Sequence, residues 1–205
     1  TKTVFTIHNA AFQGVHSLEK IPFLRHHPHI FSQVHGGYIN MLQTGIECAS
    51  KVTTVSPNYA DELLTDLGSH GLHERLVKRK ADLSGILNGC DYSQWNPATD
   101  AYLPENYSVD NLQPKRVCKT TLQTRSGLPE NAGVPLIGMV CRLTEQKGFG
   151  YILPILDDLV QHNLQIVIVG TGDPKVCMDL GEFAQQHTTQ FAFINGFSSE
   201  HAHLV

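Results

Sequence analysis

The sequence predicts an α/β protein built from two parallel-sheet units that are covered by helices. Two observations carry this prediction. Short β-branched runs alternate with helical patterns along the chain, and a polar, proline-containing stretch over residues 96–112 interrupts the alternation once. The hydrophobic fraction of 41% and the charged fraction of 17% supply enough apolar surface for packed cores.

The part of the chain before this stretch is predicted to hold three strands and two helices. The predicted strands cover residues 4–7, 51–55 and 84–87, and the predicted helices cover residues 39–49 and 57–68. Ser56 is suited to cap the second helix, with Pro57 as its first residue. Asn88-Gly89 predicts a turn after the third strand.

The part after the stretch alternates more regularly. The predicted helices cover residues 115–126, 149–161 and 174–187, and the predicted strands cover residues 135–141, 164–169 and 190–194. Gly127 is a natural stop for the first of these helices. Pro154 falls in the first turns of the second.

Charge and cysteine content exclude several classes of protein. With 15 Lys and Arg against 19 Asp and Glu, the net charge of −4 argues against a general nucleic-acid binder. The apolar runs are far shorter than the ~20 residues that a membrane span needs. Five scattered cysteines without a Cys-x-x-Cys pair favour a reducing, intracellular compartment, and we expect these cysteines to be small buried residues.

The twelve histidines do not form a metal-binding pattern. Three local groups stand out: residues 26–29, His70 with His73, and His201 with His203. None has the spacing of a known zinc motif. We expect these groups to be solvated surface histidines.

Loops that follow parallel strands are where such sheets bind ligands. Residues 141–148 form the most informative of these loops, because Arg142 and Lys147 lie five residues apart before a predicted helix start. A guanidinium, an ammonium and a helix N-terminus suit a phosphate or diphosphate. The alternative is that both are solvated surface cations.

Three further loops are candidates. Gly170 and Gly172, before Asp173-Pro174, allow either close backbone approach to a ligand or a tight turn with Asp173 as helix cap. His8 follows the first strand, where a rigid scaffold would hold a functional side chain. Asn88 follows the third predicted strand, where it could face a sugar or only stabilise a turn.

Six segments, in order, resemble the bacterial glycogen synthase and plant starch synthase family of glycosyltransferases. They cover nearly the whole chain: Ile7-His-Asn-Ala-Ala-Phe-Gln-Gly14; Ala49-Ser-Lys-Val-Thr-Thr-Val-Ser-Pro-Asn-Tyr-Ala60; Gly85-Ile-Leu-Asn-Gly-Cys-Asp91 with Trp95-Asn-Pro97; residues 118–128; Cys141-Arg-Leu-Thr-Glu-Gln-Lys-Gly148; and Gly170-Thr-Gly-Asp-Pro174. Each is weak alone, but the ordered set is specific.

The resemblance implies two facing Rossmann-like domains of glycosyltransferase B type. Residues 1–106 would belong to the acceptor-side domain and residues 107–205 to the nucleotide-sugar domain. It implies retaining transfer of glucose from ADP-glucose to the non-reducing end of an α-1,4-glucan, in the cytoplasm or in a plant plastid. It implies no metal and no cofactor, and no nucleic-acid or membrane partner is expected.

The resemblance also assigns roles. Arg142 and Lys147 match the residues that hold the distal phosphate of the nucleotide, and Gly170 and Gly172 would border the cleft. Phe197 matches a position, often Tyr, beside the nucleotide base.

On the sugar side, His8 matches a histidine near the transferred glucose, and Asn88 lies in the family's active-site Asn-Gly turn. Most departures from the family pattern lie on this sugar side. Cys90 stands where Val is commoner, and Gly36-Gly37 stands where an Asn-Gly or Tyr-Gly pair is usual. The family's Lys-Thr-Gly-Gly-Leu and Glu-Pro-Cys-Gly-Leu-Thr segments are absent. We therefore expect an internal piece of a longer protein, with both domains incomplete and no activity of its own.

Three other functions stay open at this point. A nicotinamide-dependent oxidoreductase would use a similar fold, but Lys175 occupies the third glycine position of its fingerprint. A B-type glycosyltransferase with a UDP-sugar donor would share all these features. A non-catalytic module that binds a sugar nucleotide or glucan is the third, since fold alone does not fix function.

Overall fold

The structure, a computed structural model, describes residues 1–26 and 33–205. Its contacts divide the chain into two compact units, Thr1–Cys90 and Asp91–Val205. From the sequence the boundary is expected later, after residue 106. The intervening segment packs with the second unit: Leu103 joins the second unit's core, and the Cys118 thiol lies 3.3 Å from the carbonyl oxygen of Glu105.

The first unit holds a parallel sheet and a small antiparallel sheet. The parallel sheet has the order β1-β5-β6, and the antiparallel sheet has the order β2-β4-β3. Their strands are β1 (Val4–Ile7), β2 (Val15–Ser17), β3 (Val34–His35), β4 (Tyr38–Asn40), β5 (Lys51–Thr54) and β6 (Leu83–Gly85). The three parallel strands confirm the predicted ones, whereas the antiparallel sheet was not predicted.

Short helices surround the parallel sheet. They are α1 (Met41–Cys48), α2 (Pro57–Glu62), α3 (Asp66–Ser69) and α4 (His73–Lys78), with 3₁₀ turns at Leu18–Lys20, Pro22–His26 and Lys80–Asp82. Apolar side chains from the sheet and the helices form one core, in which Ile7, Ile46, Val52, Leu63 and Leu76 are fully or almost fully buried.

Two helix predictions in this unit need correction. The first helix begins at Met41 rather than at residue 39, because Ile39 lies in β4 and the Asn40 side chain accepts a hydrogen bond from the N–H of Gln43 at 2.9 Å. The helix predicted over 57–68 is two helices, because Thr65 leaves the helical conformation and caps α3.

The second unit contains one parallel sheet of order β7-β8-β9. Its strands are β7 (Leu136–Val140), β8 (Gln165–Gly170) and β9 (Phe191–Asn195), and its helices are α5 (Lys115–Arg125), α6 (Phe149–Ile152), α7 (Leu156–Leu159), α8 (Pro174–Gln186) and α9 (Ser199–Leu204). Further 3₁₀ turns lie at Glu145–Lys147 and Leu153–Ile155. Every residue of β8 is buried.

Both faces of β8 are covered, as the sequence predicts for a parallel sheet. Val167 and Val169 pack in one cluster, and Ile166 and Ile168 pack in another.

The helix predicted over 149–161 is broken at Leu153–Ile155, because Pro154 has no N–H to continue it. Helix α9 was not predicted.

The cysteine prediction is only partly right. Cys118 is buried, but Cys48 and Cys90 are exposed, and all five thiols are free.

Within residues 1–26 and 33–205, no helix is long and apolar enough to cross a membrane. Over the same residues, no group of three His, Cys, Asp or Glu side chains is arranged to hold a metal ion.

Candidate functional site

Three loops meet at the carboxyl edge of the second sheet. Beyond the strands, Leu143 of the loop after β7 pairs with Gly172 of the loop after β8. The Leu143 N–H donates to the carbonyl of Thr171 at 3.0 Å, and the Asp173 N–H donates to Leu143 at 2.7 Å. The loop after β9 joins them, because the Gly196 N–H donates to the carbonyl of Gly170 at 3.1 Å. The edge therefore has a fixed backbone.

Gly170 and Gly172 are required by this meeting of loops. A Cβ atom on Gly170 would overlap with the carbonyl oxygen of Cys141, and one on Gly172 would overlap with the carbonyl oxygen of Leu143. The two glycines thus let the loop after β7 lie against the loop after β8. Their observed role is packing, which sequence reasoning did not foresee.

Arg142 and Lys147 lie on either side of a buried anchor. Leu143 is fully buried between them in sequence, while both cations are exposed. Glu145–Lys147 form a 3₁₀ turn that ends at Gly148, whose φ of 82° favours glycine. Neither cation forms an ion pair with a carboxylate in the part of the chain that the structure describes.

Lys147 has an electrostatic effect on the end of β7. Burial raises the pKa of the Cys141 thiol, and the positive charge of Lys147 partly opposes that rise. The ammonium group is therefore close enough to act on the first residue of the loop, rather than only on bulk solvent.

The helix that follows this loop contributes less than the sequence predicted. Helix α6 has only four residues, so few peptide dipoles align behind its N-terminus. The positive charge of the loop therefore comes mainly from the two side chains.

The tight-turn interpretation of the loop after β8 is confirmed. Asp173 caps α8, accepting hydrogen bonds from the N–H groups of Lys175 at 2.8 Å and Val176 at 3.2 Å.

Phe197 is the aromatic group at this edge. It follows β9 directly after Gly196, whose φ is 145°, and it is 77% exposed. An exposed ring with a free face is suited to stack on a planar ligand. The second unit thus brings five predicted residues to one edge of its sheet: Arg142, Lys147, Gly170, Gly172 and Phe197.

In the first unit, His8 is exposed immediately after β1. The backbone around it is held from two sides. The Thr54 hydroxyl donates to the carbonyl of Ile7 at 2.8 Å, and the hydroxyl of Tyr59 accepts from the N–H of Ala10 at 2.9 Å. Tyr59, at the start of α2, is a supporting residue that sequence reasoning missed.

Asn88 follows β6 and shares the carboxyl edge of the first sheet with His8, because the strands are parallel. The predicted Asn88-Gly89 turn is wrong: this segment is exposed and irregular. The turn lies further on, where Asp91 accepts from the N–H of Ser93 at 3.0 Å and from its hydroxyl at 2.6 Å. These bonds lower the pKa of Asp91 and favour a turn there.

The prediction of solvated histidines is wrong for His203. Its Nδ1 lies 2.6 Å from Oδ2 of Asp100, and its ring stacks on Trp95. No sequence signal links residues 103 positions apart, so only the fold reveals this pair. Within the group at 26–29, residues 27–29 lie outside the described part of the chain.

Comparison with solved structures defines the class. The chain aligns along its whole length with the catalytic domain of starch synthase IV from Arabidopsis thaliana, a structure bound to ADP and acarbose. The TM-score is 0.88 at 29% sequence identity, and 44% of that chain is covered. The two parallel sheets are therefore those of a glycosyltransferase of B type.

Sequence comparison gives the family. A family model for the starch synthase catalytic domain matches residues 1–78. Over its whole length the chain is 50% identical to a glycogen synthase of Aeromonas salmonicida and 51% identical to one of Vibrio cholerae serotype O1. The chain is similar to members of the glycogen synthase and starch synthase family along its whole length. It spans 42% and 43% of the length of these two relatives.

Proposed function

We propose that the protein containing this chain transfers glucose from ADP-glucose to the non-reducing end of an α-1,4-glucan, with retention of configuration. The observation that carries the proposal is the pair Arg142 and Lys147, on one loop of a rigid sheet edge and without carboxylate partners among the described residues. The names of the bacterial relatives and the ADP bound to the Arabidopsis enzyme support the same reaction.

The chemistry explains why two cations are needed. The bond between the glucose C1 and the diphosphate oxygen breaks, and a bond from C1 to the acceptor oxygen forms. The hydroxyl proton ends on the departing nucleotide. Negative charge grows on the diphosphate as its bond breaks, so pre-positioned donors stabilise the transition state more than the ground state.

The proposed roles on the nucleotide side follow from side-chain chemistry. The Arg142 guanidinium offers a planar fork for two phosphate oxygens, and Lys147 offers a mobile point charge. Phe197 offers a ring face to the base. Gly170 and Gly172 would border the nucleotide with their backbone, which their packing against the loop after β7 holds at the sheet edge.

On the sugar side, we assign His8 to the transferred glucose and Asn88 to its hydroxyl groups. Residues 1–106 would then serve the acceptor and residues 107–205 the nucleotide. The reaction is assigned no metal ion or cofactor, which leaves charge neutralisation to Arg142 and Lys147. We place the protein in the cytoplasm, or in the plastid if the source is a plant.

Glucose transfer by the intact protein tests this proposal. Labelled ADP-glucose and UDP-glucose would each be incubated with glycogen, and label in the polymer would be counted. We expect incorporation from ADP-glucose with release of ADP. Preference for UDP-glucose would assign a different B-type transferase, and saturable binding without incorporation would indicate a non-catalytic module.

A further inference from the structure

Helix α9 follows the β9 loop directly and is held in place by its neighbours. It has only six residues, too few for an isolated helix to persist in water. Ser198 caps it, accepting a hydrogen bond from the N–H of His201 at 3.3 Å. Phe197 is the residue before this cap, so the position of α9 determines where the aromatic ring stands.

One anchor of α9 is a buried, hydrogen-bonded pair of side chains, His203 and Asp100. Nδ1 of His203 lies 2.6 Å from Oδ2 of Asp100, and the two side chains are only 8% and 7% exposed. A carboxylate can only accept, so Nδ1 carries the hydrogen and donates it. The other carboxylate oxygen accepts from the N–H of Tyr102 at 2.9 Å, which fixes Asp100 in turn.

Aromatic contacts complete the anchor. The rings of His203 and Trp95 are parallel within 3° with centroids 3.9 Å apart, and the Tyr102 ring lies 4.7 Å from the same imidazole. All three partners of His203 come from the segment that opens the second unit. The end of α9 is thereby tied to residues about a hundred positions earlier in the chain.

We propose that His203 is a positioning residue for nucleotide binding. By tying α9 to Asp100 and Trp95, it fixes Ser198 at the start of the helix and holds Phe197 at the sheet edge that also carries Arg142 and Lys147. His203 itself does not touch the nucleotide. The inference rests on the proposed function in one respect, that Phe197 faces the base.

Steady-state kinetics of the intact protein test this role. Because a displaced ring weakens binding rather than bond breaking, His203→Ala and Asp100→Asn should raise the KM for ADP-glucose about tenfold and leave kcat within about twofold. The ADP dissociation constant should rise in parallel. His203→Asn, which keeps a donor near the Nδ1 position, should recover part of the loss. Ser199→Ala, an exposed change on the same helix, is the control and should have no effect.

The outcomes separate the two proposals. A wild-type protein that transfers glucose, with KM and ADP affinity unchanged in all three variants, would overturn the positioning role and leave the function intact. A wild-type protein that neither binds ADP nor transfers glucose would overturn both. If His203→Ala does not fold, as judged by melting temperature, Asp100→Asn decides alone, since it keeps the ring stack. If the variants lost kcat to a similar extent and kept the wild-type KM, the positioning role would be overturned in favour of a merely structural one.

Discussion

At the scale of single residues, Arg142 and Lys147 differ from ordinary surface cations in their surroundings. Exposed charges in water interact weakly, and salt screens them within about 10 Å. These two charges therefore interact strongly only with a ligand that displaces water from the sheet edge. A diphosphate bound there would bring two negative groups to a loop whose backbone is already fixed through Leu143 and Gly172.

The first prediction concerns the reach of the Lys147 ammonium. In Lys147→Ala, burial still raises the pKa of the Cys141 thiol, and the opposing positive charge is gone. The pKa of Cys141 should therefore rise further. At pH 8 a smaller thiolate fraction then reacts, so alkylation of Cys141 should slow.

Mass spectrometry of iodoacetamide-labelled peptides would measure this rate. Cys177, a partly buried thiol on α8, serves as the internal control and should react at an unchanged rate. Equal Cys141 rates in wild type and Lys147→Ala would contradict the electrostatic contact.

At the scale of secondary-structure elements, the two glycines of the β8 loop determine whether the loops can meet. Gly172→Ala places a methyl group against the backbone carbonyl of Leu143, which cannot rotate away as a side chain could. We expect a loss of about 1–3 kcal/mol in the free energy of unfolding, measured by urea denaturation.

A second glycine on the following helix gives the matched control. Gly181 lies inside α8 with open space around its Cβ position. Gly181→Ala should therefore stabilise the protein by about 0.4–1 kcal/mol. Similar unfolding curves for both variants would contradict the packing role of Gly172.

Sequence patterns predicted the parallel strands well because each is a short β-branched or apolar run that ends at a polar loop. They missed β2, β3 and β4, since strands of two or three residues are too short to show alternation. They missed α9 because it also is short, and contacts of His203 with residues about a hundred positions earlier help to hold it. Long-range pairs of this kind leave no local signal.

The candidate site, like the fold, could be predicted from the sequence only in part. The loops that carry Arg142, Lys147 and Phe197 could be located, because they follow predicted strands. The turn predicted at Asn88-Gly89 was wrong because turn propensity is only a local preference. Asp91 and Ser93 form a turn with more hydrogen bonds. The packing role of Gly170 and Gly172 needed the structure, since it depends on a neighbouring loop.

At the scale of the whole molecule, the chain accounts for about two fifths of the length of its curated relatives. We predict that the purified 205-residue chain transfers no glucose from ADP-glucose to glycogen. The reason is that the Lys-Thr-Gly-Gly-Leu and Glu-Pro-Cys-Gly-Leu-Thr segments, which the resemblance places near the diphosphate and the donor sugar, are absent from the sequence. Incorporation of label by the chain alone, above a heat-inactivated sample, would contradict this prediction.

The central claim, that Lys147 stabilises a departing diphosphate, is tested most directly by the turnover number of Lys147→Ala in the intact protein. Loss of one pre-positioned donor should lower kcat about 10²–10³-fold. Lys175→Ala, which removes an exposed lysine paired with Asp179 on the surface of α8, should stay within about twofold. Both variants should melt close to the wild-type temperature. A Lys147→Ala variant that turns over at nearly the wild-type rate would contradict the account.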